Sequence, residues 1–249
     1  MGLITKETFV CFDCEATGLD PKSDRIIEIA AVKFTFEHTL AACETLIDPG
    51  CKIPQASTNI HHITDKMVEG KPKIGAVLSQ YLDLIDNHFL VGHGIPFDIA
   101  LIEAEAKRSH VASSIGQLPF FDTLRMARLY GESPTNSLDT LRRHFNIESD
   151  GAHRAMNDVL VNIQVFKHLS KSFKTTQDLL KRLEKPIFLK KMPLGKHKGR
   201  LLSEIPTQYL EWAAHQKFDR DLSFSLRSEL KKRKAGNLFQ QASNPFSSL

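Results

Sequence analysis

Asp13 and Glu15 stand one residue apart in FVCFDCEATGL, a run that is otherwise apolar enough to be a buried strand. Successive side chains of a strand alternate faces, so Phe9, Cys11, Asp13 and Glu15 share one face and Val10, Phe12 and Cys14 share the other. Two carboxylates spaced about 7 Å along a strand repel and raise each other's pKa unless a cation lies between them. Oxygen donors of this kind suit a hard cation such as Mg²⁺ or Mn²⁺. The same alternation disposes of the C-x-x-C pair: Cys11 and Cys14 point in opposite directions and cannot close on one metal or form a disulfide while the segment stays extended. Taken alone, D-x-E fits a solvated strand end as well as a metal site.

Two later segments add partners. VGHGIPFDIALIEAE puts Asp98 just after a short apolar strand, at the start of a helix where its charge suits the dipole. In GAHRAMNDVLVNIQVF, His153 and Asp158 are five residues apart, about 140° around a continuous helix. Both reach one site only if His153 lies on the loop leading in, and Gly151 favours such a loop. Each of these residues also has an ordinary reading, as a helix N-terminal acid or as polar residues on the wet face of an amphipathic helix. What distinguishes them is their combination.

The elements around these residues read as follows. Residues 8–15 and 25–36 are apolar strand-like runs separated by the turn GLDPKSD, and 39–47 is a third, so the chain opens as an antiparallel meander. Ile74, Val77, Leu78, Tyr81, Leu82 and Ile85 then fall on one helical stripe. FLVGH reads as a strand and FDIALIEAEAKR as a helix; FFDTLRMARLY, SLDTLRRHF and HRAMNDVLVNIQVFKHL read as three further helical stretches. Strands first and alternating helices and strands afterwards predict an α/β mixed sheet covered by helices.

The sequence has 249 residues, 41% hydrophobic and 25% charged, with four cysteines at 11, 14, 43 and 51. This fits a normal core, and the cysteine placement argues for free thiols in a reducing compartment. The longest apolar runs fall far short of the roughly 20 residues of a membrane span, and MGLITKETFV lacks a signal-peptide layout, so a cytoplasmic location is expected. Net charge is only +4, but residues 1–170 carry 16 Lys and Arg against 22 Asp and Glu, whereas residues 171–249 carry 17 against 7. An acidic body joined to a basic appendage suits an enzyme with a polyanion grip.

The order Asp-x-Glu, Asp, His-x4-Asp resembles the DnaQ-like exonucleases, the histidine subclass of the DEDD superfamily. FVCFDCEATGL resembles their first motif, VGHGIPFDIALI the second and HRAMNDV the third, with further matches at IHHIT, FFDTLRMAR and NSLDTLRRHFNI, over about residues 7–170. Membership implies a ribonuclease H-like five-stranded mixed sheet flanked by helices. It implies that Asp13, Glu15, Asp98 and Asp158 hold two divalent metal ions, Mg²⁺ or Mn²⁺, and that His153 is the general base. It also implies attack on the terminal phosphodiester from the 3′ end with release of nucleoside monophosphates. By motif match Gly18, His61 and Phe97 are substrate contacts, Phe97 being equally suited to packing. Ala16 stands where the family often has Thr, and His62 where it usually has Gly.

The expected organisation is an exonuclease domain over 1–170, a basic linker over 171–187, a small basic domain over 188–235 and a mobile tail over 236–249. The third of these, KKMPLGKHKGRLLSEIPTQYLEWAA, resembles the C-terminal domain of some exodeoxyribonuclease X-like proteins. Lys196, Lys198 and Arg200 are its candidates for gripping a nucleic-acid backbone. Tyr209, Leu210 and Trp212 read as small-domain core in preference to base-stacking groups. KKRK at 231–234 reads as a phosphate contact or a helix end.

The resulting expectation is a repair exonuclease acting on single-stranded or frayed DNA 3′ ends. Its alternatives are a proofreading subunit similar to polymerase III epsilon, docking a DNA polymerase or sliding clamp, and an exoribonuclease or inactive nucleic-acid-binding protein.

Overall fold

Alternation along FVCFDCEA has the consequence expected of it. In the computed structural model, Cys11 is fully buried with its thiol 3.7 Å from the Val159 carbonyl, while Val10, Phe12 and Cys14 belong to an apolar cluster on the opposite face with Leu78, Tyr81 and Ile102. All four cysteines are free thiols. The structure describes residues 2–133, 135–149 and 154–242, with side chains to residue 235.

The elements in order are β1 (Phe9–Ala16), β2 (Ile26–Phe34), β3 (Thr39–Leu46), α1 (Gln55–His61), α2 (Asp65–Val68), α3 (Ile74–Ile85), β4 (Phe89–Gly92), α4 (Pro96–Arg108), β5 (Phe120–Asp122), α5 (Thr123–Tyr130), α6 (Leu138–His144), α7 (Ala155–Leu169), α8 (Thr176–Leu183), α9 (Thr207–Ala214) and α10 (Arg220–Ala242). The sheet runs β3-β2-β1-β4-β5, antiparallel for β1–β2 and β2–β3 and parallel for β1–β4 and β4–β5. This is the mixed five-stranded sheet expected from the sequence. One stretch differs: FFD, read as part of a helix, is the short fifth strand, pairing Phe120 with Leu90 and Asp122 with Gly92. Three residues are too few to carry a period, and the helix starts only at Thr123, where the Asp122 side chain caps it by accepting from the Leu124 amide.

One sheet face is covered by α7. Phe166 packs its ring against those of Phe9, Phe34, Phe36 and Phe121 at centroid distances of 5.0 to 6.2 Å. Deeper along the same helix Asn162 accepts from the Thr123 hydroxyl at 2.6 Å and donates to Cys11 Sγ at 3.6 Å, a buried polar pin that fixes the helix register over β1. The other face carries α3 and α4, whose buried side chains include Leu78, Tyr81, Ile85, Leu101 and Ile102. The carboxylate-bearing end of β1 is thus clamped between two apolar layers.

The chain divides into two compact units, residues 1–181 and 182–249. In the second, Leu189, Met192, Leu202, Ile205, Leu210, Ala213, Leu222 and Leu226 form their own core. Arg233 ties α10 to the segment before α9 by donating to the carbonyls of Leu202, Ser203 and Ile205, and it pairs with Glu229. KKRK therefore lies inside α10 and does not end it, since helical backbone continues to Ala242. Leu210 is core as expected, but Trp212 is not: it is 54% exposed. Residues 243–249 of the expected tail lie outside the described residues.

Candidate active site

Strand β1 delivers Asp13 and Glu15 to the α7 face, and Asp158 comes to meet them from the first turn of α7. Oxygen atoms of these three carboxylates lie within 4.8 Å of one another. Burial pushes the Asp13 carboxyl up to about 7, with Asp158 and Glu28 adding to the shift. Glu15 is pushed up to about 8 by burial and then by Asp13, Asp158 and Glu28. Three acids held this close, with Arg154 offsetting only part of the shift at Glu15, form an electrostatic well for an oxygen-seeking ion. Among the described residues the donor set is all carboxylate, which matches a hard cation better than a soft one.

Asp98 is placed beside this group and not within it. Only 5% exposed, it accepts the Cys14 amide on Oδ1 at 3.1 Å, so α4 is tied to the strand residue lying between Asp13 and Glu15. Its pKa is raised by burial and by the charge of Asp13. His153, the expected base, lies outside the described residues.

Two residues that the motif reading passed over hold the site together. Glu28 on β2 faces Glu15 in the β1–β2 register and is fully buried. It accepts Arg154 Nε and Nη2 at 3.0 and 2.6 Å and the Ala155 amide at 2.9 Å. The first turn of α7 is therefore fastened to the sheet by a charged clamp, and Asp158 is held in that turn by donating its backbone N–H to the Arg154 carbonyl at 3.1 Å. A lone acid inside IIEIAAV was the available signal, since an unpaired carboxylate is rarely buried in an apolar strand.

The expected substrate contacts have different surroundings. Gly18 has no room for a side chain: an added Cβ would lie 2.6 to 2.8 Å from the Asp24 carboxylate, which is held by the Thr17 hydroxyl and the Asp20 amide. His61 is buried, accepts the Ile63 amide on Nδ1 and leaves Nε2 without a partner among the described residues. An orphaned polar atom in such a place costs about 1–3 kcal/mol unless something reaches it. Ser57 on the same helix donates to the Thr17 carbonyl at 2.7 Å, coupling α1 to the loop after β1. Phe97 is half-buried against the α3/α4 apolar cluster, and Ala16 packs there too, so both have a packing role.

The family description "Exonuclease" matches residues 10–166, well over half of the sequence. The chain belongs to the exonuclease family. A shorter match, to a family described as "Putative quorum-sensing-regulated virulence factor", covers residues 180–222. Among curated relatives of this exonuclease, the DNA polymerase III PolC-type of Clostridium perfringens is 32% identical over 195 residues, 76% of this chain but 13% of that protein. That of Thermotoga petrophila is 36% identical over 159 residues, 64% and 12% respectively. The chain thus spans only about an eighth of the length of these relatives. Among solved structures, Exonuclease X in complex with 5′ overhanging duplex DNA superposes with a TM-score of 0.55 at 21% identity, over 71% of this chain and 99% of that one. Escherichia coli Exonuclease I with a dA16 oligonucleotide gives 0.60 at 21% identity, over 71% and 43%. The sheet and its flanking helices are the fold of these exonucleases.

Proposed function

We propose that this chain is a metal-dependent 3′-to-5′ exonuclease that removes nucleoside monophosphates from single-stranded or frayed DNA ends in repair. The observation that carries this reading is the convergence of Asp13, Glu15 and Asp158 within 4.8 Å in a chain of the exonuclease family. These three carboxylates, with Asp98 adjoining through Asp13, would hold two divalent ions, Mg²⁺ or Mn²⁺. When bound, such ions neutralise phosphate charge and lower the pKa of a coordinated water. Asp98 fixes the backbone between the two strand carboxylates and keeps them aimed at one point. Glu28 and Arg154 fix the start of α7, which sets the position of Asp158; His153, assigned by its place in the third motif, would be the base that takes the proton of the attacking water. Gly18, whose missing side chain lets the Asp24 carboxylate stay seated on Thr17 and Asp20, and His61, whose buried Nε2 has no partner among the described residues, would contact the terminal nucleotide. DNA as the substrate is supported by the DNA held in the similar structures. No helix among the described residues is long and apolar enough to cross a membrane, and four free thiols fit a cytoplasmic setting.

The test is digestion of 5′-labelled DNA and RNA, single- and double-stranded, with chelator and Asp158→Ala controls. A ladder shortening from the 3′ end of DNA only, abolished in both controls, is expected. Equal digestion of RNA would overturn the substrate assignment, and shortening that survives Asp158→Ala would overturn the site.

A second reading is favoured by the names of the curated relatives: a proofreading nuclease that works with a replicative polymerase. Co-purification of a DNA polymerase or sliding clamp with the intact chain, lost on removal of 236–249, would select it over a free-standing repair enzyme.

A further inference from the structure

We infer that the C-terminal unit carries a second nucleic-acid site, separate from the carboxylate cluster, that stacks a base of a single strand on Trp212 and grips its phosphates with the hairpin 190–202. It shares with the proposed function only the premise that the chain works on nucleic acid.

The hairpin is built to present charge outward. Its arms are joined by the Leu202 amide to Lys190 carbonyl bond at 2.9 Å and the Met192 amide to Arg200 carbonyl bond at 2.9 Å, and the Gly199 amide closes the loop onto the Met192 carbonyl at 2.8 Å. Gly195 and Gly199 take φ of 73° and 85°, conformations that side chains resist, so the tight loop depends on them. Met192 and Leu202 point inward and are 1% exposed. Lys190, Lys191, Lys196, Lys198 and Arg200 are all exposed, with no Asp or Glu among residues 190–203. Ordinary surface lysines are interleaved with acids that neutralise them; here none of the five cations has a carboxylate partner among the described residues. Residues 182–249 as a whole carry 14 Lys and Arg against 6 Asp and Glu.

Aromatic surface lies directly against this loop. The His197 ring meets the Tyr209 ring edge-on at 4.4 Å, and Tyr209 meets Trp212 at 5.3 Å. On α9, Leu210 and Ala213 are fully buried in the small core, which leaves the Trp212 indole standing 54% exposed on the other side. An indole left in water sacrifices a large apolar burial. Beside five unpaired cations, its natural partner is a polyanion that also offers flat apolar faces. A single nucleic-acid strand has both, whereas a duplex hides its base faces and an acidic peptide lacks them.

Trp212 is the chain's only tryptophan, so its fluorescence reads this site and no other. The full chain, with chelator present to stop digestion, is titrated with single-stranded oligothymidine. Saturable quenching is expected, with a log-log salt slope of about −2 or steeper, as about three neutralised phosphates would give. Combined Lys196→Ala, Lys198→Ala and Arg200→Ala should flatten that slope by about two, and Trp212→Ala should weaken binding measured by anisotropy about five- to a hundredfold, with circular dichroism showing the fold retained. Absence of quenching, or equal quenching by heparin or by duplex of the same length, would overturn the inference. Digestion that proceeds normally without quenching would sink this site alone, whereas quenching by a chain that digests nothing would sink the proposed exonuclease activity alone.

Discussion

Cation binding at the acidic cluster should be strongly pH-dependent, and the size of the effect follows from the two raised carboxyls. Asp13 titrates at about 7 and Glu15 at about 8 because burial and mutual repulsion disfavour their charged forms. A divalent ion takes the ionised forms, so each group multiplies the apparent Kd by one plus ten raised to the difference between its pKa and the pH. From about pH 6 to about pH 8 these factors give roughly a 500-fold tightening if both protons are displaced, and about tenfold if only the Asp13 proton is. The sign for stability is the companion result. A carboxyl with a raised folded pKa holds its proton longer in the native state than in the unfolded one. The metal-free fold is therefore favoured while the pair stays protonated and loses stability as pH rises from the ordinary carboxylate range through about 7 to 8. Bound cation should cancel that loss. Calorimetric titration of the chelator-stripped chain with Mn²⁺ across this window, in buffers of different ionisation enthalpy, reads both the affinity and the protons released. An affinity that changes less than about threefold, with no proton release, would refute the reasoning.

Further outcomes follow from the same geometry. Asp13→Asn should remove measurable Mn²⁺ binding and digestion together, because it neutralises the carboxylate that faces both Asp158 and Asp98; isothermal titration and the digestion assay check it. Glu28→Gln should cost about 1–3 kcal/mol in denaturant unfolding by removing charge from the clamp on Arg154 and the Ala155 amide, and should lower kcat more than it raises KM; unchanged unfolding would show that the clamp contributes nothing. Gly18→Ala should raise KM for the DNA end with little loss of Mn²⁺ affinity, since the new methyl must displace the Asp24 carboxylate from Thr17 and Asp20. Phe166→Ala should lose about 3–5 kcal/mol of stability, read by thermal or denaturant unfolding, because four aromatic rings pack on that side chain.

What the sequence determined by itself was the set of properties with a short period. Two-residue alternation put Asp13 and Glu15 on one face of a strand and Cys11 and Cys14 on opposite faces, and the 3- and 4-residue spacing of Ile74, Leu78, Tyr81 and Ile85 marked a helix whose buried stripe is those residues. The motif order added Asp158, which packing brings to the strand pair. Only the tertiary structure decided the rest, because it depends on contacts between residues far apart in the chain. Asp98 reaches the Cys14 amide across 84 positions, and Glu28 reaches Arg154 across 126, so neither bond leaves a local trace. β5 was hidden because three residues cannot display a period and exist as a strand only through pairing with β4. Trp212 differs for a related reason: it reads as small-domain core together with Tyr209 and Leu210, but the small core takes Leu210 and Ala213, and the indole, about 200° around α9 from Leu210, is left to water.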